Sequence, residues 1–195
     1  EEQKTLLPVQ YGIEPNDKEF RKVVEEKYNE FVTSIPKNGV KLNISLPDNT
    51  APVSTENGDT EGNIEGIPAD AGYGKYGGSV AADNSGTLTY VSIRHGGITI
   101  GEGNELNGLT LGGVGSGTTI SNIEVYATLD DGIECFGGTV NISNALVFYQ
   151  GDDGIDLDQN YSGTIENFAV IHGDGIETDE GLEIDGPEGS TNTTG

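Results

Sequence analysis

The chain has no Trp, no Met and one Cys in 195 residues, and only 9 Lys and Arg against 33 Asp and Glu. A lone Cys135 excludes an intrachain disulfide framework. The formal charge of −24 argues against nucleic acid or an anionic membrane surface as partner, because both need Lys or Arg to neutralise phosphate. A cation is the natural partner instead. No run of 18 apolar residues is present, so no segment reads as a membrane-spanning helix. No signal peptide is legible, and a chain opening at Glu1 rather than Met reads as a processed form. Few aromatics beside 31 Gly favour tight, repeated corners over one large globular core.

What the chain has in abundance is repetition. Gly108-Leu109-Thr110-Leu111 recurs as Gly132-Ile133-Glu134-Cys135, Gly154-Ile155-Asp156-Leu157 and Gly181-Leu182-Glu183-Ile184, in steps of 24, 22 and 27 residues. A second phrase keeps the same register: Ile120, Ile142 and Ile165 stand two residues before Asn122, Asn144 and Asn167, followed by Val125, Val147 and Val170. Such a period belongs to a solenoid whose coils stack. Leu88 to Ile93, Thr119 to Val125, Val140 to Val147 and Thr164 to Ile171 read as one column of short strands, and the glycine phrases as a second. Cys135 occupies an apolar repeat position and reads as a small core residue. The fold expected is all-β, a right-handed parallel β-helix with coils of about 22–27 residues. A leucine-rich-repeat horseshoe is the rival, disfavoured because no helical segment separates the strands.

Residues 1–50 have another character, with seven of the nine Lys and Arg. From Asp17 to Ile35 the residues Phe20, Val23, Val24, Tyr28, Phe31, Val32 and Ile35 fall at helical spacing, with Asn16 and Glu19 placed as a capping box. The expectation is an N-terminal amphipathic helix that caps or flanks the first coil; a separate small helical unit is the alternative. Lys41 to Leu46 reads as an entering strand. Residues 51–87 read as a loop-rich lead-in, and 88–195 as the β-helix itself, truncated at its C-terminal end.

Alternation within a strand turns Ile133 and Cys135 inward and Glu134 outward, which makes one face of the coil carboxylate. The ladder Thr110, Glu134, Asp156 and Glu183 is flanked by Asp130, Asp131, Asp152, Asp153, Asp158, Glu180 and Asp185. Carboxylates stacked at ~4.8 Å repel one another unless some protonate or a cation binds between them. Many hard oxygens suit Ca²⁺, and the expected metal ligands are Asp130, Asp131, Glu134, Asp152, Asp153, Asp156, Asp158, Glu180, Glu183 and Asp185. A solvated acidic face without an ordered metal is the competing reading. The same residues admit an enzyme, because Asp152 with Asp153, or Asp131 with Asp153 on neighbouring coils, could serve as acid and base on a neutral polysaccharide. Polyanionic substrates are excluded by the absence of any Lys or Arg after Arg94 against 18 acids.

Other features read as structure. His95 and His172 follow equivalent strands with two coils between them, which suits corner hydrogen bonding rather than a shared metal. Asn122, Asn144 and Asn167 read as an amide ladder satisfying backbone groups at a turn. Tyr73, Tyr76, Tyr126, Tyr149 and Tyr161 fall outside the apolar columns and read as glycan-stacking platforms or, more simply, as loop packing.

The segment from about Tyr76 to Gly189 resembles a family of secreted or lipid-anchored β-helix proteins common in Bacteroidetes-type bacteria. The residues that carry the resemblance are Ala82-Asp83-Asn84-Ser85-Gly86-Thr87-Leu88, the run from Asn107 to Thr118, Asp130-Asp131-Gly132, Phe136-Gly137-Gly138-Thr139-Val140 and the run from Glu183 to Gly189. The resemblance implies a β-helix displayed outside the outer membrane of a Gram-negative cell or released from it, and it carries over no catalytic residue. The reading that follows is a non-catalytic surface protein, calcium-stabilised, serving adhesion, glycan contact or envelope assembly, with end-to-end stacking of solenoids as a further contact. A neutral-glycan hydrolase and a passive spacer without ligand are the alternatives, and the balance tips away from an enzyme.

Overall fold

The computed structural model describes residues 43–44, 50–55, 58–97, 106–173 and 178–187. The elements are β1 (Asn43–Ile44), β2 (Gly62–Asn63), β3 (Lys75–Tyr76), β4 (Gly86–Arg94), β5 (Leu109–Gly112), β6 (Thr119–Tyr126), β7 (Ile133–Phe136), β8 (Asn141–Phe148), β9 (Ile155–Asp158), β10 (Ile165–Ile171) and β11 (Glu183–Ile184). One sheet runs β1-β4-β6-β8-β10 and a second β11-β9-β7-β5, with β2 and β3 paired apart. Within both large sheets every pair is parallel except β1 with β4. Parallel strands from successive coils, two per coil, make a β-solenoid of about three turns, as the repeat requires. No helix occurs among the described residues, and the expected helix over 17–35 lies outside them.

The two columns pack their inward residues into one core. Ile123, Val125, Ile133, Cys135, Val140, Ile142, Val147 and Ile155 are fully buried. In the first sheet the inward positions are spaced three and then two: Ile120, Ile123, Val125; Ile142, Ala145, Val147. A flat strand would space them by two throughout. The extra residue is the asparagine. Asn122, Asn144 and Asn167 have φ of 55°, 58° and 55°, with Tyr90 at 57° in the first coil, and the cross-strand register passes over all four. Each left-handed residue turns the strand so that the apolar residues on both sides of it face inward, and Asn accepts that conformation better than most. Asn144 Nδ2 donates to Asn122 Oδ1 at 3.1 Å and Asn167 Nδ2 to Asn144 Oδ1 at 3.4 Å. The amide ladder is present, but it sits within the strands rather than at a turn, and it runs from one side chain to the next. Asn144→Val puts a β-branched residue at positive φ and cuts the ladder on both sides. It should cost about 2–3 kcal/mol in urea unfolding.

The segment 50–83 is more ordered in its role than its composition suggests. Ala51 N–H donates to the Gly113 carbonyl, Gly138 N–H to the Pro52 carbonyl and Ser54 N–H to the Gln159 carbonyl. Gly113, Gly138 and Gln159 follow β5, β7 and β9, so this strap climbs three coils rung by rung. Val53 and Tyr76 then pack with Phe136 in a second apolar cluster, joined by Ile64.

Gln150 is fully buried in the turn after β8, and among the described residues neither end of its amide has a hydrogen-bond partner. A buried amide without partners costs about 1–3 kcal/mol. Gln150→Leu should therefore raise the thermal midpoint, read by circular dichroism.

Candidate functional site: a buried carboxylate column

The glycine phrases place four outward positions of the second sheet in register. β5, β7, β9 and β11 align Thr110, Glu134, Asp156 and Glu183, while the residues before each glycine align Asn107, Asp131, Asp153 and Glu180. Glu134 does leave the coil interior, between Ile133 and Cys135, but it does not reach water. It is 4% exposed. Its Oε2 accepts from Asn107 Nδ2, which also donates to Thr110 Oγ1 at 3.3 Å. The carboxylate face is therefore partly covered, with Asp131, Glu134, Asp153 and Asp158 all buried.

Two groups of carboxylates converge. Asp131, Glu134 and Asp156 offer oxygens that lie within 4.8 Å of one another, and so do Asp130, Asp131 and Asp152. Asp131 belongs to both. Burial pushes its carboxyl up to about 8, with Asp130, Asp156 and Asp153 adding to the rise and the Asp153 N–H opposing it. Burial likewise pushes Glu134 up to about 10, followed by the charges of Asp131, Asp156 and Asp158, against the Asn107 hydrogen bond. The Tyr76 hydroxyl is raised by burial and then by Glu134 and Asp158, which places these two carboxyls near it.

The upper coils are arranged differently. Asp153 N–H donates to Asp131 Oδ1 at 3.0 Å, and Glu180 N–H to Asp153 Oδ1 at 2.5 Å. Each Asp before a glycine thus ties the same position one coil on. Glu183 is held up at about 8, first by a shared hydrogen bond with Asp153 and then by burial and nearby charge. Glu180 is raised by its hydrogen bond to Asp179, and both Glu180 and Asp185 are exposed. Of the ten expected ligands, Asp130, Asp131, Glu134, Asp152 and Asp156 converge in groups; Asp158 is buried near Glu134, Asp153 and Glu183 form a separate pair, and Glu180 and Asp185 join none of the converging groups.

The sequence reading gives Asn107 no role at the carboxylates, and it takes Tyr76 for a glycan platform or loop packing rather than a neighbour of Glu134. Asn107 was legible, because it holds the place before the glycine that Asp131, Asp153 and Glu180 hold in later coils. Tyr76 was not, because nothing in the repeat refers to it.

A hard cation fits the donor set. The carboxylate oxygens are close, no Lys or Arg follows Arg94, and Asn107 Oδ1 is buried without a hydrogen-bond partner among the described residues. Such a bare oxygen is a ligand of the kind that Ca²⁺ takes beside carboxylates.

Residues 54–195 match the family described as a pectate-lyase-like beta helix domain. The chain belongs to that family. No curated protein and no solved structure matches it significantly. Membership of the pectate-lyase-like β-helix family agrees with the parallel sheets and the solenoid core, and it is consistent with a role connected with polysaccharide.

Proposed function

We propose that this β-helix domain is an exported, non-catalytic surface solenoid that is closed by Ca²⁺ at Asp131, Glu134 and Asp156 and that contacts polysaccharide in adhesion or envelope assembly. The observation that carries the calcium reading is the convergence of three part-buried or buried carboxylates within 4.8 Å of one another across two coils. Like charges that close are tolerated only when protonated or bridged by a cation. Asp130 and Asp152 widen the site around Asp131 with further oxygens, in keeping with the six to eight that Ca²⁺ takes. Display outside the outer membrane is supported by the sequence strings described above, and polysaccharide by the family.

The hydrolase reading has less support. It takes Asp152 with Asp153, or Asp131 with Asp153, as acid and base, and both Asp131 and Asp153 are engaged with a backbone N–H of the next coil.

Calorimetric titration with CaCl₂ at pH 8 should give saturable binding, weakened at least tenfold in Asp131→Asn and Glu134→Gln, with MgCl₂ much the weaker ligand. No heat of binding with a folded protein would sink the calcium reading.

A further inference from the structure

At the other sheet, on the C-terminal ends of its strands, a group of side chains differs in chemistry from the rest of the solenoid. Arg94 closes β4, Tyr126 closes β6, and Phe148 with Tyr149 closes β8, one rung after another at the ~4.8 Å coil spacing. Tyr126 is the centre. His95 stands edge-on to it at 5.6 Å and 89°, and Tyr149 at 5.5 Å and 84°. The Arg94 guanidinium lies 5.1 Å from its centroid and pairs with Glu124 at 2.5 Å. These contacts, with Phe148 at 6.4 Å, fix the orientation of the Tyr126 ring. Tyr126 and Tyr149 stay part-exposed, while Arg94 and His95 are exposed.

Two observations separate this ladder from ordinary packing. His95 and Tyr149 hold φ of 54° and 55°, as does Ala127 between them. They occupy the equivalent corner of three successive coils, and each donates its N–H to the next coil, so the backbone that carries the ladder is fixed by the stacking itself. The second is charge. Arg94 is the last cation in an otherwise acidic chain, and its charge is cancelled by Glu124. The patch is therefore locally neutral, with an exposed guanidinium beside part-exposed tyrosines, while Glu124 is buried beneath Arg94. Sugar hydroxyls match the guanidinium, and the C–H faces of pyranose rings match the tyrosines. A polyanion would meet the surrounding field of the acids instead.

We propose that Arg94, held by the buried Glu124, forms with Tyr126 and Tyr149 a binding site for a neutral saccharide chain, lying along the solenoid axis. The proposal rests on the polysaccharide part of the function proposed above and is independent of the calcium site.

The probes are cellohexaose, xylohexaose and mannohexaose, with oligogalacturonate as the charged counterpart, followed by calorimetry and by saturation-transfer NMR on the intact chain. At least one neutral hexaose should bind. Tyr126→Ala and Tyr149→Ala should each raise its Kd by about tenfold, Tyr126→Phe should keep most of the affinity, and Arg94→Lys should lose several-fold because the ammonium lacks the planar fork. Far-ultraviolet circular dichroism of each variant checks that the solenoid is intact. Preference for oligogalacturonate overturns the proposal. Binding that survives both alanine variants but is lost in Glu134→Gln also overturns it, and leaves the polysaccharide reading standing. No binding of any probe, beside an intact response to calcium, removes both the aromatic site and the polysaccharide reading and keeps only the calcium one.

Discussion

In EDTA the protein should unfold at a lower temperature at pH 8 than at pH 5, and calcium should narrow that gap. Asp131 and Glu134 have carboxyls held up at about 8 and about 10 in the folded chain, against ordinary values near 4 in the unfolded one. Between those limits the native state binds more protons than the unfolded state. Stability is then full below about pH 4 with respect to these groups and falls as pH rises through 8 toward 10. One pKa unit is worth about 1.4 kcal/mol, so Asp131 alone removes several kcal/mol over this window. A divalent cation displaces the protons it competes with, and its stabilisation grows over the same range of pH. At a hundred times Kd it adds about 2.7 kcal/mol, or roughly 5–10 °C for a chain of this size. Differential scanning calorimetry at pH 5, 6.5 and 8, with EDTA and with CaCl₂, reads both arms. A midpoint in EDTA that rises from pH 5 to pH 8 would contradict the protonated column. In Asp131→Asn the loss toward pH 8 should shrink, because the amide has no proton to give up.

Much of the solenoid could be read from its period, because each coil repeats one physical problem. The apolar residues of Leu88 to Ile93 and of the later strands must face one another, and the glycines stand where coil crosses coil. The three-then-two spacing of Ile142, Ala145 and Val147 was visible as well, although its cause, Asn144 at positive φ, needed the backbone. The carboxylate column was legible for the same reason, as Glu134, Asp156 and Glu183 share a place in the phrase. Its burial was not legible. Side-chain alternation says which way Glu134 points and nothing about what lies over it. The covering groups come from Asn107, in a coil whose column position carries an amide rather than an acid, and from the segment around Tyr76. That segment binds the coils through backbone groups of Ala51, Pro52 and Ser54, and backbone hydrogen bonds leave no mark on composition. Asp131 and Asp153 carry a further feature that the repeat alone does not show, since each accepts a backbone N–H from the next coil.

Gly151→Ala should be among the most damaging single-methyl changes in the chain. A Cβ there would lie 2.6 Å from the Leu129 carbonyl carbon and closer still to its oxygen, and both atoms belong to the backbone of the neighbouring coil. A flexible side chain could move aside at small cost; a stacked coil cannot. Its spacing is set on both sides of the turn, by Gly151 N–H on the Asp130 carbonyl at 3.2 Å and by Tyr149 N–H on the Ile171 carbonyl at 3.0 Å. The methyl must therefore spread the coils or twist the turn, which pulls on Asp130, Asp131, Asp152 and Asp153 at once. A loss of about 3 kcal/mol is expected, the upper range for overpacking. Gly186→Ala is the control, because a Cβ there meets nothing within 4 Å. It should stay within about 0.5 kcal/mol of the parent, as open surface positions do. The two variants differ in one further way. Gly151→Ala should weaken the response to CaCl₂ more than its stability loss alone accounts for, since the oxygens of Asp130 and Asp152 flank the altered turn, whereas Gly186→Ala should leave the calcium titration unchanged. Equal unfolding midpoints for the two would show that the coils are not held at this corner.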